Sequence, residues 1–222
     1  MEQIREPVLQ GRFQSLDEAA KETTTALARA NIRHGFIGGY AVSLIGGTRM
    51  TSDIDIIVDA DPSDARSLLL QAHSGLRLSQ NNKLIFTGAE EDVRSRQLKL
   101  PDANVVSIVP LTANDQPERI RNTPIPIVAP SVLVLTKIKR WSTLAESTRP
   151  QSIKKADSDI DDIEVLLKWL ARNQLHIDFE GYLAKPKEEL LSGVRKLYQM
   201  HAAFRPLLET TLDEESFALI NN

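Results

Sequence analysis

The sequence predicts an α/β protein with a mixed sheet, followed by a helical C-terminal part. Between residues 36 and 109, short apolar runs rich in β-branched residues alternate with helical segments and polar turns. Three prolines within residues 124–130 then form a stiff connector, since each proline fixes its own φ. After this connector apolar residues recur at helical spacing, as at Ile160, Ile163 and Leu167. The composition therefore changes from strand-forming to helix-forming at the prolines.

The N-terminal part opens with Ser15-Leu16-Asp17-Glu18, which has the form of a capping box and predicts a helix that follows it. Gly38-Gly39 ends a short apolar strand, and Asp61-Pro62 is typical of a helix start. The elements expected here are a helix over 16–30, a strand at 36–37, a helix over 40–45, a strand over 53–59, a helix over 62–72, and strands over 83–86, 93–100 and 104–109.

Helices are expected throughout the remainder of the chain. We predict them over 131–141, 159–172, 178–185 and 187–204. The expected domains are an α/β core with an N-terminal helix over residues 1–128 and a helical domain over residues 129–222.

Composition excludes several classes of protein. The chain has 222 residues, a formal charge of −3 and no cysteine, so a disulfide scaffold, a thiolate zinc site and a cysteine nucleophile are ruled out. The four histidines lack ligand spacing, and there is no P-loop motif. No apolar run approaches membrane-spanning length and the N-terminus does not read as a signal peptide, which predicts a soluble cytoplasmic protein that does not contact membranes.

The segment Asp53-Ile54-Asp55 contains the most informative chemistry. Side chains alternate across a strand, so Asp53 and Asp55 point to one face. Two carboxylates this close repel each other unless a cation lies between them, and Mg²⁺ prefers such oxygen ligands. A strand with two solvated acids would show the same pattern, and for this motif alone that interpretation is favoured.

Three features next to the acid pair favour a functional site. Gly38-Gly39 allows close backbone approach between a strand and a helix N-terminus, which suits an anion, although an ordinary tight turn has the same sequence. Arg49 could pair with a phosphate or with Asp53, and Thr51 could order the loop that enters the strand.

Taken in order, Gly38-Gly39-Tyr40-Ala41, Gly47-Thr48-Arg49 and Thr51-Ser52-Asp53-Ile54-Asp55 resemble the nucleotidyltransferase superfamily with a polymerase-β-like core, most closely its AbiEii-type or minimal branch. The resemblance implies a metal–nucleotide complex on Asp53 and Asp55, with Mg²⁺ as cofactor, an NTP such as ATP as substrate, and phosphates held at Gly38-Gly39.

The resemblance extends into the C-terminal part. It implies that Lys137 faces the triphosphate and that Asp159 and Asp162 organise the wall of the cleft. A solvated basic face around Lys137, and acids favoured by a helix N-terminus, would be the structural alternatives.

The resemblance also implies a third carboxylate in the middle of a neighbouring strand. The expected strand is 104–109, and the expected position holds Ser107, a poor metal ligand and a negligible base. With a serine at this position, a two-ion mechanism would lose one of its anchors.

The leading hypothesis is a Mg²⁺-dependent nucleotidyltransferase that transfers a nucleoside monophosphate from an NTP to a hydroxyl or similar acceptor. The acceptor is undetermined: a small molecule, a protein or RNA, with nucleic acid disfavoured by the weakly acidic charge. The alternatives are a degenerate nucleotide-binding pseudoenzyme, and a small-molecule enzyme that uses the same cleft without an NTP.

Overall fold

The computed structural model describes residues 13–88, 91–99, 107–111, 117, 120 and 124–221. The chain forms two compact units that divide between Val128 and Ala129, with Ser107 belonging to the second unit. Among the described residues, the first unit contains the sheet and three helices, and the second unit is helical. The expectation of a mixed-sheet α/β fold followed by C-terminal helices is confirmed.

The first unit is built on a seven-stranded mixed sheet with the order β3-β4-β5-β2-β1-β7-β6. Strand β2 lies between β1, which is antiparallel to it, and β5, which is parallel to it. The strands are β1 (His34–Ile37), β2 (Asp53–Val58), β3 (Leu76–Leu78), β4 (Leu84–Thr87), β5 (Asp92–Lys99), β6 (Ile108–Pro110) and β7 (Pro126–Val128).

Three helices accompany the sheet: α1 (Gln14–Arg29), α2 (Gly38–Ser43) and α3 (Pro62–Ala72). Helices α1 and α3 contact each other and both contact β5. The sheet residues facing this layer form the core, as shown by Ile54 and Ile56, which are fully buried. The alternation along β2 therefore leaves Asp53 and Asp55 on the opposite face, where each is partly exposed.

The helix predicted over 16–30 is present as α1, but it begins at Gln14, so the predicted capping box is wrong. The N-cap residue is Phe13, whose side chain makes no capping hydrogen bond, and Ser15 is buried inside the helix. The Ser15 hydroxyl accepts a hydrogen bond from the backbone N–H of Glu91 at 3.3 Å. A tertiary contact thus replaces the expected local cap. The Asp61 cap of α3 is present, since its carboxylate accepts from Ser63 N at 2.8 Å.

The proline connector contains a strand that the sequence did not indicate. Strand β7 begins at Pro126 and pairs in parallel with β1. Pro126 lies opposite Pro110 of β6, at the ends of the two strands where a missing N–H costs least. Strand β3 was also missed, and the first half of the strand expected over 104–109 lies outside the described residues.

The second unit contains the helices α4 (Pro130–Leu144), α5 (Pro150–Arg172), α6 (Lys187–Met200), α7 (Arg205–Thr211) and α8 (Glu214–Asn221), with a 3₁₀ turn at Ala202–Phe204. The apolar stripe of α5 is buried at Ile163, Leu167 and Leu170. The helix predicted over 178–185 is absent, because Asp178 accepts from the backbone N–H of Gly181 at 2.9 Å and the segment forms turns.

Candidate active site

The carboxylates of Asp53 and Asp55 lie on the same face of the first unit's central strand. Ile54 between them is fully buried on the opposite face, so the hydrophobic core fixes which way the strand presents its acids. The register pairs Asp55 with Ile37 on β1 and with Arg96 on β5. The acid pair therefore occupies the middle of the sheet rather than an edge.

Thr51 orients the first carboxylate. Its hydroxyl donates a 2.9 Å hydrogen bond to Oδ1 of Asp53, in the loop that enters β2. A carboxylate bound in this way loses rotamer freedom before any ligand arrives. The expectation that Thr51 orders this loop is consistent with the contact, and its role toward a nucleotide stays a prediction.

The turn at Gly38-Gly39, called the glycine elbow below, lies directly against the carboxylate of Asp55. Gly38 has a φ of +77°, which L side chains rarely adopt, and a Cβ placed there would lie 3.1 Å from Oδ2 of Asp55. The chain can therefore turn from β1 into α2 beside Asp55 only because residue 38 has no side chain. This closeness links the two parts of the sequence motif, which are seventeen positions apart in the chain.

Gly39 provides the second close approach at the elbow. A Cβ at this position would lie 2.6 Å from Nη2 of Arg49 and 3.2 Å from Cβ of Thr51. The Arg49 side chain thus passes next to the elbow, and its Nη1 donates to the carbonyl of Met50 at 3.0 Å. The structure brings Gly38, Gly39, Arg49 and Thr51 together around Asp53 and Asp55.

The strand beside the acid pair differs from the one expected from the sequence. The parallel neighbour of β2 is β5, whereas β6 is separated from β2 by β1 and β7. Ser107, which directly precedes β6, is therefore not the residue opposite the acids, and assigning it the third-carboxylate position was wrong. The β5 residues in register with Asp53 and Asp55 are Arg94 and Arg96.

Arg96 forms an ion pair with the acid site. Its Nε donates to Oδ1 of Asp55 at 2.9 Å, with the arginine side chain 64% exposed and the aspartate side chain 18% exposed. Arg94 is exposed and its Nη2 donates to the hydroxyl of Ser52 at 3.2 Å. The alternation of Asp92, Arg94 and Arg96 was visible in the sequence, but nothing local indicated that this strand adjoins β2.

The donor set at Asp53 and Asp55 fits one Mg²⁺. This ion is commonly bound through one or two carboxylates together with substrate phosphates and water. Oδ1 of Asp53 accepts from Thr51 and Oδ1 of Asp55 accepts from Arg96, while the two carboxylates still offer their Oδ2 atoms. Over residues 13–88, 91–99 and the described positions beyond them, no group of three metal-ligating side chains occurs.

Lys137 and Asp159 lie in the second unit, each in a buried ion pair. Nζ of Lys137 bonds to Oδ2 of Asp162 at 2.6 Å, and Arg140 bonds to both oxygens of Asp159 at 2.5 and 2.7 Å. Lys137 and Asp162 are 2% exposed and Asp159 is fully buried. These pairs join α4 to α5. A nucleotide contact for Lys137 and Asp159 stays a prediction.

Burial lowers the pKa of the Lys137 ammonium, and the attraction of Asp162 opposes this shift. Lys137 and Asp162 lie among buried apolar residues of α4 and α5, so their direct hydrogen bond must offset the cost of removing both charges from water. The basic residue that the sequence suggested for a phosphate site serves here as a counter-ion between two helices.

Comparison with solved structures assigns the fold. An antigenic nucleotidyltransferase-like protein from Paracoccidioides brasiliensis aligns with a TM-score of 0.71 at 18% sequence identity, covering 94% of this chain and 97% of that one. The chain has a nucleotidyltransferase-like fold. The predicted superfamily-level resemblance is confirmed at the level of fold, whereas the AbiEii-type branch stays a prediction.

Two further structures show weaker likeness to this chain. The antibiotic-resistance factor ANT(2'')-Ia aligns at a TM-score of 0.48 and 12% identity, covering 86% of this chain and 95% of that one. JHP933 from Helicobacter pylori aligns at 0.47 and 14%, covering 93% and 86%. The fold assignment rests on the Paracoccidioides brasiliensis protein. No family model and no curated protein matches the sequence.

None of the described helices combines the length and the apolar composition that a membrane crossing requires.

Proposed function

We propose that this protein transfers a nucleoside monophosphate from an NTP to an acceptor, using Mg²⁺ at Asp53 and Asp55. One observation carries the proposal: the elbow at Gly38 lies against the Asp55 carboxylate, with only 3.1 Å between Oδ2 and the position of a Cβ. A phosphate-binding turn and a metal-binding acid pair are useful to this reaction only when they adjoin. The nucleotidyltransferase-like fold supports the same conclusion.

The acid pair would hold the ion and orient the donor. Asp53 is positioned by Thr51 and Asp55 by Arg96, so both carboxylates are ordered by hydrogen bonds in advance. When bound, Mg²⁺ would supply charge neutralisation on the triphosphate and polarisation at the reacting phosphorus.

The elbow would accommodate the β- and γ-phosphates. Asp55 fills the space that a side chain at Gly38 would occupy, and Arg49 and Thr51 fill that space at Gly39, so phosphate oxygens would approach the backbone of the turn from its other side. Arg49, whose Nη2 lies beside Gly39, would add positive charge on the same side of the site. Gly38, Gly39 and Arg49 bind and orient the leaving part of the donor and take no part in proton transfer.

The chemical step exchanges the phosphoanhydride bond between the α- and β-phosphates for a phosphoester bond to the acceptor. An acceptor oxygen bonds to the α-phosphorus while the bond to the bridging oxygen of the β-phosphate breaks. Pyrophosphate leaves with that electron pair, and any proton on the acceptor oxygen passes to solvent. The attacking and leaving oxygens lie approximately in line in such displacements.

A second function is favoured by Arg96. A guanidinium bonded to Asp55 already offsets part of the negative charge that a metal ion would otherwise balance. A nucleotide-binding protein without turnover would retain the elbow and the acids and keep this arrangement. The two functions differ in pyrophosphate release.

The test is release of pyrophosphate from each NTP in the presence of Mg²⁺, with a heat-treated cell extract as the source of acceptors. Asp53→Asn should lower the rate by at least about a hundredfold, because the ion stabilises the transition state by several kcal/mol. Asp59→Asn is the matched control, since Asp59 is an exposed aspartate directly after the same strand.

Nucleotide binding by the wild-type protein with no pyrophosphate release would favour the second function. Equal release by the wild-type protein and Asp53→Asn would overturn the first, because the acid pair would then have no part in the reaction.

A further inference from the structure

Two arginines extend from the strand beside the acid pair on the side away from the glycine elbow. Arg94 is in register with Asp53 and Arg96 with Asp55, and residues in register on neighbouring strands point to the same face. Strand β5, which holds both arginines, adjoins β2 on one side, and β1, which leads into the elbow, adjoins it on the other. The acids therefore lie between a glycine turn and two guanidinium groups.

In-line geometry assigns the acceptor to the arginine side. If the donor's β- and γ-phosphates lie at Gly38-Gly39, pyrophosphate leaves toward β1. The attacking oxygen must then approach the α-phosphorus from the opposite side, which is the side of β5. The described residues of β5 that face this approach are Arg94 and Arg96.

Both arginines have N–H groups beyond those in the hydrogen bonds described above, and these groups could bind an anion. Arg96 uses Nε on Asp55 while its side chain is 64% exposed, and Arg94 uses one Nη on the uncharged Ser52 hydroxyl. A guanidinium group can donate two parallel hydrogen bonds to the oxygens of one phosphate, whereas a neutral molecule with hydroxyl groups would not use this bidentate geometry. Two residues apart on one strand, the arginines are about 7 Å from each other, close enough to address one phosphate group.

We propose that Arg94 and Arg96 bind a phosphate monoester on the acceptor, so that the substrate receiving the nucleoside monophosphate is itself phosphorylated. This inference rests on the proposed function, because the donor position defines the acceptor side. The phosphate belongs either to a small metabolite or to the end of a nucleic acid, and the experiment separates these sources.

The experiment measures acceptor binding by calorimetry with the donor site filled by α,β-methylene-ATP and Mg²⁺. Glycerol 3-phosphate and a 5′-phosphorylated oligoribonucleotide are the two probes, with glycerol and the dephosphorylated oligonucleotide as their neutral counterparts. Arg94→Gln should weaken binding of the phosphorylated probe by at least about tenfold, since it removes a charged hydrogen-bond donor. Arg77→Gln is the matched control, because Arg77 is exposed, is already paired with Asp92, and lies on β3, which β4 and β5 separate from β2.

Binding of glycerol 3-phosphate that depends on Arg94 and not on Arg77 supports a small phosphorylated acceptor. The same dependence seen only with the oligoribonucleotide supports a nucleic-acid end. If neither phosphorylated probe binds, or if Arg94→Gln binds the phosphorylated probe as well as the wild-type protein does, the inference is overturned. The proposed NTP site is not affected by that outcome. If α,β-methylene-ATP itself fails to bind with Mg²⁺, the proposed function fails first, and the inference fails with it.

Discussion

Replacing Gly38 by alanine tests the contact between the elbow and the acid pair. The backbone at this residue has a φ of +77°, and the new Cβ would lie 3.1 Å from Oδ2 of Asp55. The backbone conformation costs an L residue roughly 1–2 kcal/mol. The methyl group also pushes the carboxylate away by a few tenths of an ångström, because 3.1 Å is shorter than an ordinary contact.

These two effects predict two separable measurements. Thermal unfolding should begin about 2–4 °C lower for each kcal/mol of backbone strain. Mg²⁺-dependent affinity for ATP, measured by calorimetry, should fall on the order of tenfold, because Mg²⁺ requires near-ideal ligand geometry.

Gly46→Ala separates strain from contact. Gly46 has a φ of +105°, and a Cβ there would meet nothing within 4 Å. This variant should lose comparable stability and keep Mg²⁺-dependent binding. If Gly38→Ala and Gly46→Ala bind ATP equally well, the elbow does not position Asp55, and the interpretation of the glycine turn is refuted.

Three other predictions follow from single side chains. Arg96→Gln should raise the affinity of the ATP complex for Mg²⁺ by up to about fivefold, since the Arg96 guanidinium offsets part of the Asp55 charge that attracts the ion. An unchanged affinity in a metal titration would contradict this. Asp162→Asn should lower the free energy of unfolding, measured in urea, by about 3–5 kcal/mol, because it leaves the buried Lys137 ammonium without its nearest partner. A loss below about 1 kcal/mol would show that the ion pair is dispensable. Burial lowers the pKa of His34 below 6.5, so the unfolded chain takes up a proton first and the free energy of unfolding should fall as the pH drops below 6.5. Between pH 7 and 5.5 this free energy should depend less on pH in His34→Gln than in the wild-type protein. An identical pH dependence would refute the assignment.

Local signals in the sequence predicted the parts of the site that depend on neighbouring residues. The alternation at Asp53 and Asp55 fixed the face of the strand, and the glycines marked the turn at Gly38-Gly39. These features follow from backbone geometry within a few residues, so they could be predicted without knowing how distant segments pair.

The neighbouring strand could not be identified in the same way, because strand pairing joins distant segments. Arg96 is forty-one positions after Asp55, and the sequence favoured 104–109 as the adjoining strand. Burial of Ser15 against the Glu91 backbone overrode the local cap signal for the same reason. The ion pair of Lys137 with Asp162 likewise depends on how α4 packs on α5.

The most direct test of the central claim is an ATP-binding titration with and without Mg²⁺, carried out on the wild-type protein and on Asp55→Asn. A shared ion between the carboxylates and the phosphates predicts that Mg²⁺ strengthens binding to the wild-type protein and has little effect on the variant. Affinity that is the same with and without Mg²⁺ in the wild-type protein would contradict the account.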